Sequence, residues 1–138
     1  MLIVLDLPYS TKLLISNNHQ PNHVMPFLKI QTNATVPESQ RTDLLASASS
    51  LVSEHLGKDE KFFMGIVEPD RSMFFAGSSD PLAFLELKAL GLPAEKTKDL
   101  CSALCSLVNN ALAIPPERIY VKFHGVNRGM WGWNGDIF

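Results

Sequence analysis

Met25-Pro26-Phe27-Leu28-Lys29-Ile30-Gln31-Thr32-Asn33 opens with a proline and then sets Phe27, Leu28 and Ile30 against Lys29 and Gln31. That pattern predicts a strand beginning at Pro26. Proline is tolerated at the first residue of a strand, where no ladder donor is needed. The Met-Pro pair also has a chemical reading. If translation starts at Met25 and the Met is trimmed, Pro26 carries a free secondary amine. An α-amino group titrates near pH ~8, and burial or a nearby cation lowers it further, so it becomes a base at neutral pH. Within the 138-residue chain the same nitrogen is an amide with no useful proton affinity.

Working outward, Thr35 followed by Glu38 has the form of a capping box. The helix it opens is expected to run to about Leu56, with Leu44, Ala48, Leu51, Val52 and Leu56 on one face and Arg41, Ser47 and Glu54 off it. Gly57 is the expected stop. Phe62 to Glu68 reads as a strand closed by Pro69-Asp70. Ser72 to Ala76 reads as a short second strand, and Gly77 to Pro81 as a loop. The pattern then repeats. Leu82 to Leu90 is a strand with Ala83, Leu85 and Leu87 on one face and Phe84, Glu86 and Lys88 on the other. A helix from about Ala94 to Leu112 carries Leu100, Leu104, Leu107, Val108 and Ala111 on one side, and Pro115-Pro116 ends it. Ile119 to Phe123 is the last long strand, and the tail from Met130 to Phe138 is aromatic and glycine-rich.

The chain is thus strand–helix–strand, twice over. Each unit is long enough for a right-handed crossover pairing its two strands in parallel. The expected fold class is α+β: a two-layer β-α-β repeat, a four-stranded mixed sheet with both helices on one face. The other face, with Phe27 and Phe84, is expected to be apolar and to favour oligomerisation.

Bulk composition narrows the function. One domain of ordinary size suits 138 residues, and 46% apolar content supports a real core. With 12 basic against 14 acidic residues and no basic patch, nucleic acid is not an expected partner. No stretch approaches the ~20 apolar residues of a membrane span, so no membrane partner is expected. Cys101 and Cys105 lie one helical turn apart and read as packing residues. His19, His23, His55 and His124 show no ligand spacing, so no metal is expected. Residues 1–24 read as a separate extension, disordered or absent from the mature protein, and 25–138 as the domain. The extension lacks a basic n-region and a small-residue cleavage site, so it is not a convincing signal peptide.

Met25-Pro26-Phe27-Leu28, Gly57-Lys58, Pro69-Asp70, Phe75 to Pro81, Pro116-Glu117-Arg118-Ile119-Tyr120 and Gly132-Trp133-Asn134-Gly135, in that order, resemble the macrophage migration inhibitory factor and D-dopachrome tautomerase family. The resemblance covers residues 25–138. It implies a homotrimer with active sites between subunits, and cofactor-independent keto–enol tautomerisation of phenylpyruvate- or dopachrome-like substrates. Under it, Pro26 is the catalytic general base, and Lys58 binds the substrate carboxylate and depresses the proline's pKa. Leu90 presents a backbone amide. Tyr120 comes from the adjacent subunit to wall the pocket. Lys122 stands where the animal cytokines have Asn, which bears on substrate preference. Phe62, Trp131, Trp133 and Phe138 form an aromatic rim. The Cys-x-x-Cys pair of the animal proteins is replaced by Leu82 and Leu85, which leaves a dithiol redox activity without its chemistry.

The leading expectation is therefore a tautomerase for small aromatic keto and enol acids. The alternative is a leaderless secreted, cytokine-like protein that binds a receptor protein and whose pocket is vestigial; a purely structural trimer is the third reading. The expected location is cytoplasmic, extracellular by a leaderless route, or both.

Overall fold

The structure is a computed structural model describing residues 25–138; the extension expected over 1–24 lies outside the described residues. Strand β1 (Phe27–Thr32) is followed by helix α1 (Glu38–Leu56) and strand β2 (Met64–Glu68). Strand β3 (Ala83–Leu90), helix α2 (Thr97–Leu112) and strand β4 (Ile119–Val126) repeat the unit. The sheet order is β2-β1-β3-β4. Each unit pairs its strands in parallel, and the two units join through the antiparallel β1–β3 pair. This is the expected two-layer α+β architecture, with both helices on one face of a mixed sheet.

The alternation read in the sequence decides which face the helices cover. Leu28 and Ile30 of β1 and Leu85 and Leu87 of β3 are fully buried. They form one cluster with Leu44, Ala48 and Val52 of α1 and Leu100, Leu104 and Val108 of α2. Burying each such side chain is worth roughly 1.5–3 kcal/mol before entropy. Gly65 lets β2 lie close to α1, because a Cβ there would stand 2.8 Å from the Phe63 ring and 2.9 Å from Leu45.

The opposite face corrects an expectation. It carries Phe27, Phe84, Met64 and Tyr120, but its middle row runs Ile66, Lys29, Glu86, Lys122 across the four strands. Glu86 sits between two ammonium groups, 3.7 Å from Lys29 Nζ and 3.8 Å from Lys122 Nζ. The face is amphipathic, not apolar. Alternation protects only the buried set and leaves the other positions free to be charged.

Helix α1 also begins differently from the capping-box expectation. Pro37 is its N-cap, with no side-chain cap bond. Thr35 donates its hydroxyl to Asp70 Oδ1 at 2.6 Å instead, tying the end of β1 to the turn after β2. At the other end Gly57, at φ 67°, closes a Schellman motif: its N–H donates to Glu54 O and the Lys58 N–H to Ser53 O. The segment expected to be a continuous strand from Phe62 starts as a 3-10 turn, Glu60–Phe62, N-capped by Asp59.

Ser72 to Ala76, expected as a strand, is a loop in which only Phe75 and Ser78 bridge. A strand needs a neighbour, and within the described residues this segment has no ladder to join. Arg118 holds the loop instead. Its Nε donates to Pro81 O, its Nη1 to Phe75 O, and its Nη2 to Ser78 O and Asp80 O, all at 3.0–3.1 Å. A planar guanidinium can serve four carbonyls at fixed angles; an ammonium cannot.

The tail, read only as aromatic and glycine-rich, is a small hairpin of β5 (Gly132–Trp133) and β6 (Asp136–Ile137). Asn134 and Gly135 both have positive φ, 56° and 77°, as a type I′ turn requires. The Asn-Gly dipeptide was the available signal for it.

Two stability outcomes follow from these contacts. Ser53 Oγ on α1 is buried without a hydrogen-bond partner. Ser53→Ala is therefore expected to stabilise the protein by about 1 kcal/mol, since an unsatisfied buried hydroxyl costs ~1–3 kcal/mol; a lower urea midpoint would show that the hydroxyl is satisfied. Arg118→Lys keeps the charge and loses the fork, and is expected to cost about 1–3 kcal/mol. A midpoint equal to that of the parent protein would mean water replaces the guanidinium without cost.

Candidate active site

Pro26 is buried at the head of β1, and its carbonyl accepts the Met64 N–H at 3.0 Å. This bond extends the β1–β2 ladder by one step and sets the proline beside the 3-10 turn that precedes β2. There it borders a cleft of about 200 Å3 whose walls include Phe62, Phe63, Trp131 and Trp133. Phe62 meets Trp133 edge-on at 5.9 Å, and Trp133 stacks on Phe138 at 6.3 Å and 12°. The hairpin positions both rings. Phe138 is docked by its own backbone, its N–H donating to Trp131 O and its carbonyl accepting from the Gly129 N–H. The structure thus brings Pro26, Phe62, Trp131, Trp133 and Phe138 into one cluster, from opposite ends of the sequence.

Met25 also lines this cleft. It is 5% exposed and adopts φ 51°, a left-handed conformation disfavoured for a residue with a side chain and for one that precedes proline. While Met25 is attached, the proline nitrogen is an amide and a side chain occupies the space next to it.

The other candidate residues stand apart from that cluster to different degrees. Lys58 follows the Gly57 cap and is half-buried. The Schellman bonds fix its backbone at the same end of the sheet as Pro26, although it does not line the cleft. Leu90 ends β3 and is buried. Continuing the β1–β3 register puts Pro26 opposite Ala89, so Leu90 lies one step beyond it.

Tyr120 is elsewhere. It pairs with Phe84, about five residues along β3 from the level of Pro26, or roughly 17 Å at the strand rise. It is 62% exposed and packs edge-on to Phe75 at 4.9 Å, beside the Arg118 knot. Lys122 lies two residues nearer the Pro26 level on the same face, beside Glu86, about three residues along β3 or roughly 10 Å from that level and two strands away. Neither lines the Pro26 cleft of its own chain.

The sequence reading passed over Lys61, Phe27 and Met64, which also border the cleft. The signal for Lys61 was the Asp59 cap: Asp59 Oδ1 accepts the Lys61 N–H at 3.0 Å and turns the chain before β2. A second hollow of about 340 Å3 lies against the hairpin, among Arg128, Asn134 and Asp136. It contains none of the basic or nucleophilic candidates, so the Pro26 cleft is the better site. Cys101 and Cys105 are unbridged on α2, where burial and the neighbouring Cys101 push the Cys105 thiol up from its ordinary value. Among the described residues no group of three or more His, Cys, Asp or Glu could hold a metal ion.

Comparison with known proteins identifies the family and the fold. The sequence profile described as macrophage migration inhibitory factor matches residues 25–138. The macrophage migration inhibitory factor of Meriones unguiculatus is 33% identical over 118 residues, covering 83% of this chain and 99% of the relative. The homolog from Brugia malayi is 32% identical over 116 residues, with the same coverage of each. Among solved structures, the homologue from Prochlorococcus marinus superposes with a TM-score of 0.77 at 33% identity, covering 81% of this chain and 98% of that one. The factor from Trichinella spiralis gives 0.72 at 30% identity, covering 81% and 99%. The chain belongs to the macrophage migration inhibitory factor family.

Proposed function

We propose that the protein, in a form beginning at Pro26, is a cofactor-independent keto–enol tautomerase for small aromatic keto acids of the phenylpyruvate type. Dopachrome-like compounds are the second candidate substrate class. The observation that carries the reading is the cluster itself: a buried proline at a strand start, walled by Phe62, Trp131 and Trp133. The aromatic walls hold the substrate ring and exclude water. In the keto-to-enol direction the Pro26 amine takes a proton from the carbon next to the keto group and its conjugate acid delivers one to the enolate oxygen; in the reverse direction the amine takes the enol hydroxyl proton and delivers one to that carbon. Lys58 binds the carboxylate, and its positive charge favours the neutral amine. The Leu90 backbone amide faces the substrate.

The active assembly is a homotrimer in which Tyr120 and Lys122 of one subunit complete the cleft of the next. What supports this is distance, because both residues lie on the open sheet face far from their own Pro26. The charged middle row of that face implies a wet interface centre, with the apolar contacts towards its ends. A second reading, receptor binding in the manner of a cytokine, is supported by the family's description alone. Inactive but folded protein that still acts on cells would favour it.

The extension over 1–24 is the sharpest handle on the base. Protein starting at Pro26 is expected to be active. The intact 138-residue chain, verified by mass, should show little proline-dependent turnover, since its Pro26 nitrogen is acylated. In the short form, Pro26→Gly replaces the secondary amine by a primary one and should lower phenylpyruvate enolisation by up to roughly 10²–10⁴-fold. Equal rates for the intact and short proteins would assign the base elsewhere.

Sharing of the site is tested by mixing. Pro26→Gly and Tyr120→Ala, each weak alone, are unfolded and refolded together. About a quarter of all sites after random one-to-one reassembly then pair an intact proline with an intact tyrosine. Recovery of activity on mixing is expected; none, with mixed trimers shown by native mass spectrometry, would place Tyr120 outside the site.

A further inference from the structure

The Pro26 cleft has a cation in its lining that the tautomerase reading leaves unused. Lys61 lies in the turn Glu60–Phe62, its backbone pinned by Asp59. Its ammonium stands 5.2 Å from the centroid of the Phe62 ring, on the wall against which a substrate ring would lie. None of the described residues lining the cleft is acidic. The contrast with the sheet face is direct: there Lys29 and Lys122 share the Glu86 carboxylate, whereas among the described residues no carboxylate lies within ion-pair distance of Lys61 Nζ. A contact between an ammonium and an aromatic face leaves N–H donors directed away from the ring.

We propose that Lys61 is a specificity-determining residue of the cleft, selecting aromatic keto acids that carry a second anionic group on the ring. The proposal rests on the tautomerase reading for its substrate class. One end of such a substrate has the keto acid carboxylate and the carbon that Pro26 deprotonates. The other end is the ring, lying between Phe62, Trp131 and Trp133, with its far edge at the mouth of the cleft. A carboxylate or sulfate on that edge meets the Lys61 ammonium, while an unsubstituted ring leaves it in water. The pair is exposed, so its contribution is small and is screened by salt. It therefore discriminates between substrates without being needed for turnover.

The chain has two tryptophans, and both line the cleft, so their fluorescence reports binding without chemistry. The probes are hydrocinnamate and para-carboxyhydrocinnamate, neither of which can enolise to a keto acid product. They are titrated into the form beginning at Pro26 at low ionic strength. The ring-carboxylated probe is expected to bind about two- to fivefold more tightly, as a single exposed ion pair allows. Lys61→Gln should abolish that preference without changing hydrocinnamate binding, and Lys61→Arg should keep it. Lys58→Ala should weaken both probes alike. Equal binding of the two probes by the parent protein would overturn the proposal. So would a Lys61→Gln variant that loses affinity for both probes equally, since Lys61 would then serve the keto acid end. If the preference holds but phenylpyruvate is not enolised, the tautomerase reading fails and the anion-selecting role of Lys61 stands.

Discussion

Strand β1 has a hydrogen-bonded neighbour on each side, and the site depends on that. With β2 parallel on one side and β3 antiparallel on the other, β1 cannot slip along its axis without breaking two ladders. A slip of one residue would also turn Leu28 and Ile30 out of the core and Lys29 into it. The start of β1 is therefore held in the middle of one end of the sheet. The Met64 N–H closes on the Pro26 carbonyl there, and the turn of residues 60–62 brings Phe62 alongside. The ladder hydrogen bonds thereby set the position of the residue proposed to supply the base, one step before the strand.

The two sheet faces have separate tasks. The helix face is a dry core whose side chains interlock in one cluster. The open face carries ion pairs and half-exposed aromatic rings. It holds Tyr120 at the opposite end from Pro26 and Lys122 at the middle of the sheet, with Arg118 organising the loop around Tyr120 through four carbonyls and the Phe75 ring. A single chain thus has the two parts of the proposed site well apart on its sheet. The polar groups on that face are compatible with solvent and with the partly wet interface of the proposed trimer alike.

The nitrogen of Pro26 shows how one covalent bond outweighs everything around it. The cleft, its aromatic walls and its lysines can be complete while the nitrogen is an amide. No arrangement of neighbours makes an amide a base of the required strength, because desolvation and nearby charge shift a pKa by a few units at most. Met25 adds a steric term to the same effect, through its buried side chain in a left-handed backbone conformation.

Local pattern decided much of this molecule. The alternation at 27–32 and 83–88, the helical spacing at 44–56 and 100–108, and Gly57 as a left-handed cap were legible because each depends on a few neighbouring residues. The six short motifs in order were enough to indicate the family. Where the reading failed, the deciding partner was distant in sequence: Asp70 took the Thr35 hydroxyl from the expected capping box, and Glu86 put charge in the middle of a face expected to be apolar. The absence of a neighbouring strand left Ser72 to Ala76 as a loop tied to Arg118. The aromatic cleft belongs to the same class, since Pro26 and Trp133 meet only when the hairpin folds back across the sheet end. Secondary structure is set by side-chain periodicity along the chain. Which polar group bonds which, and which rings share a wall, is settled only when long-range packing brings them within hydrogen-bond or van der Waals distance.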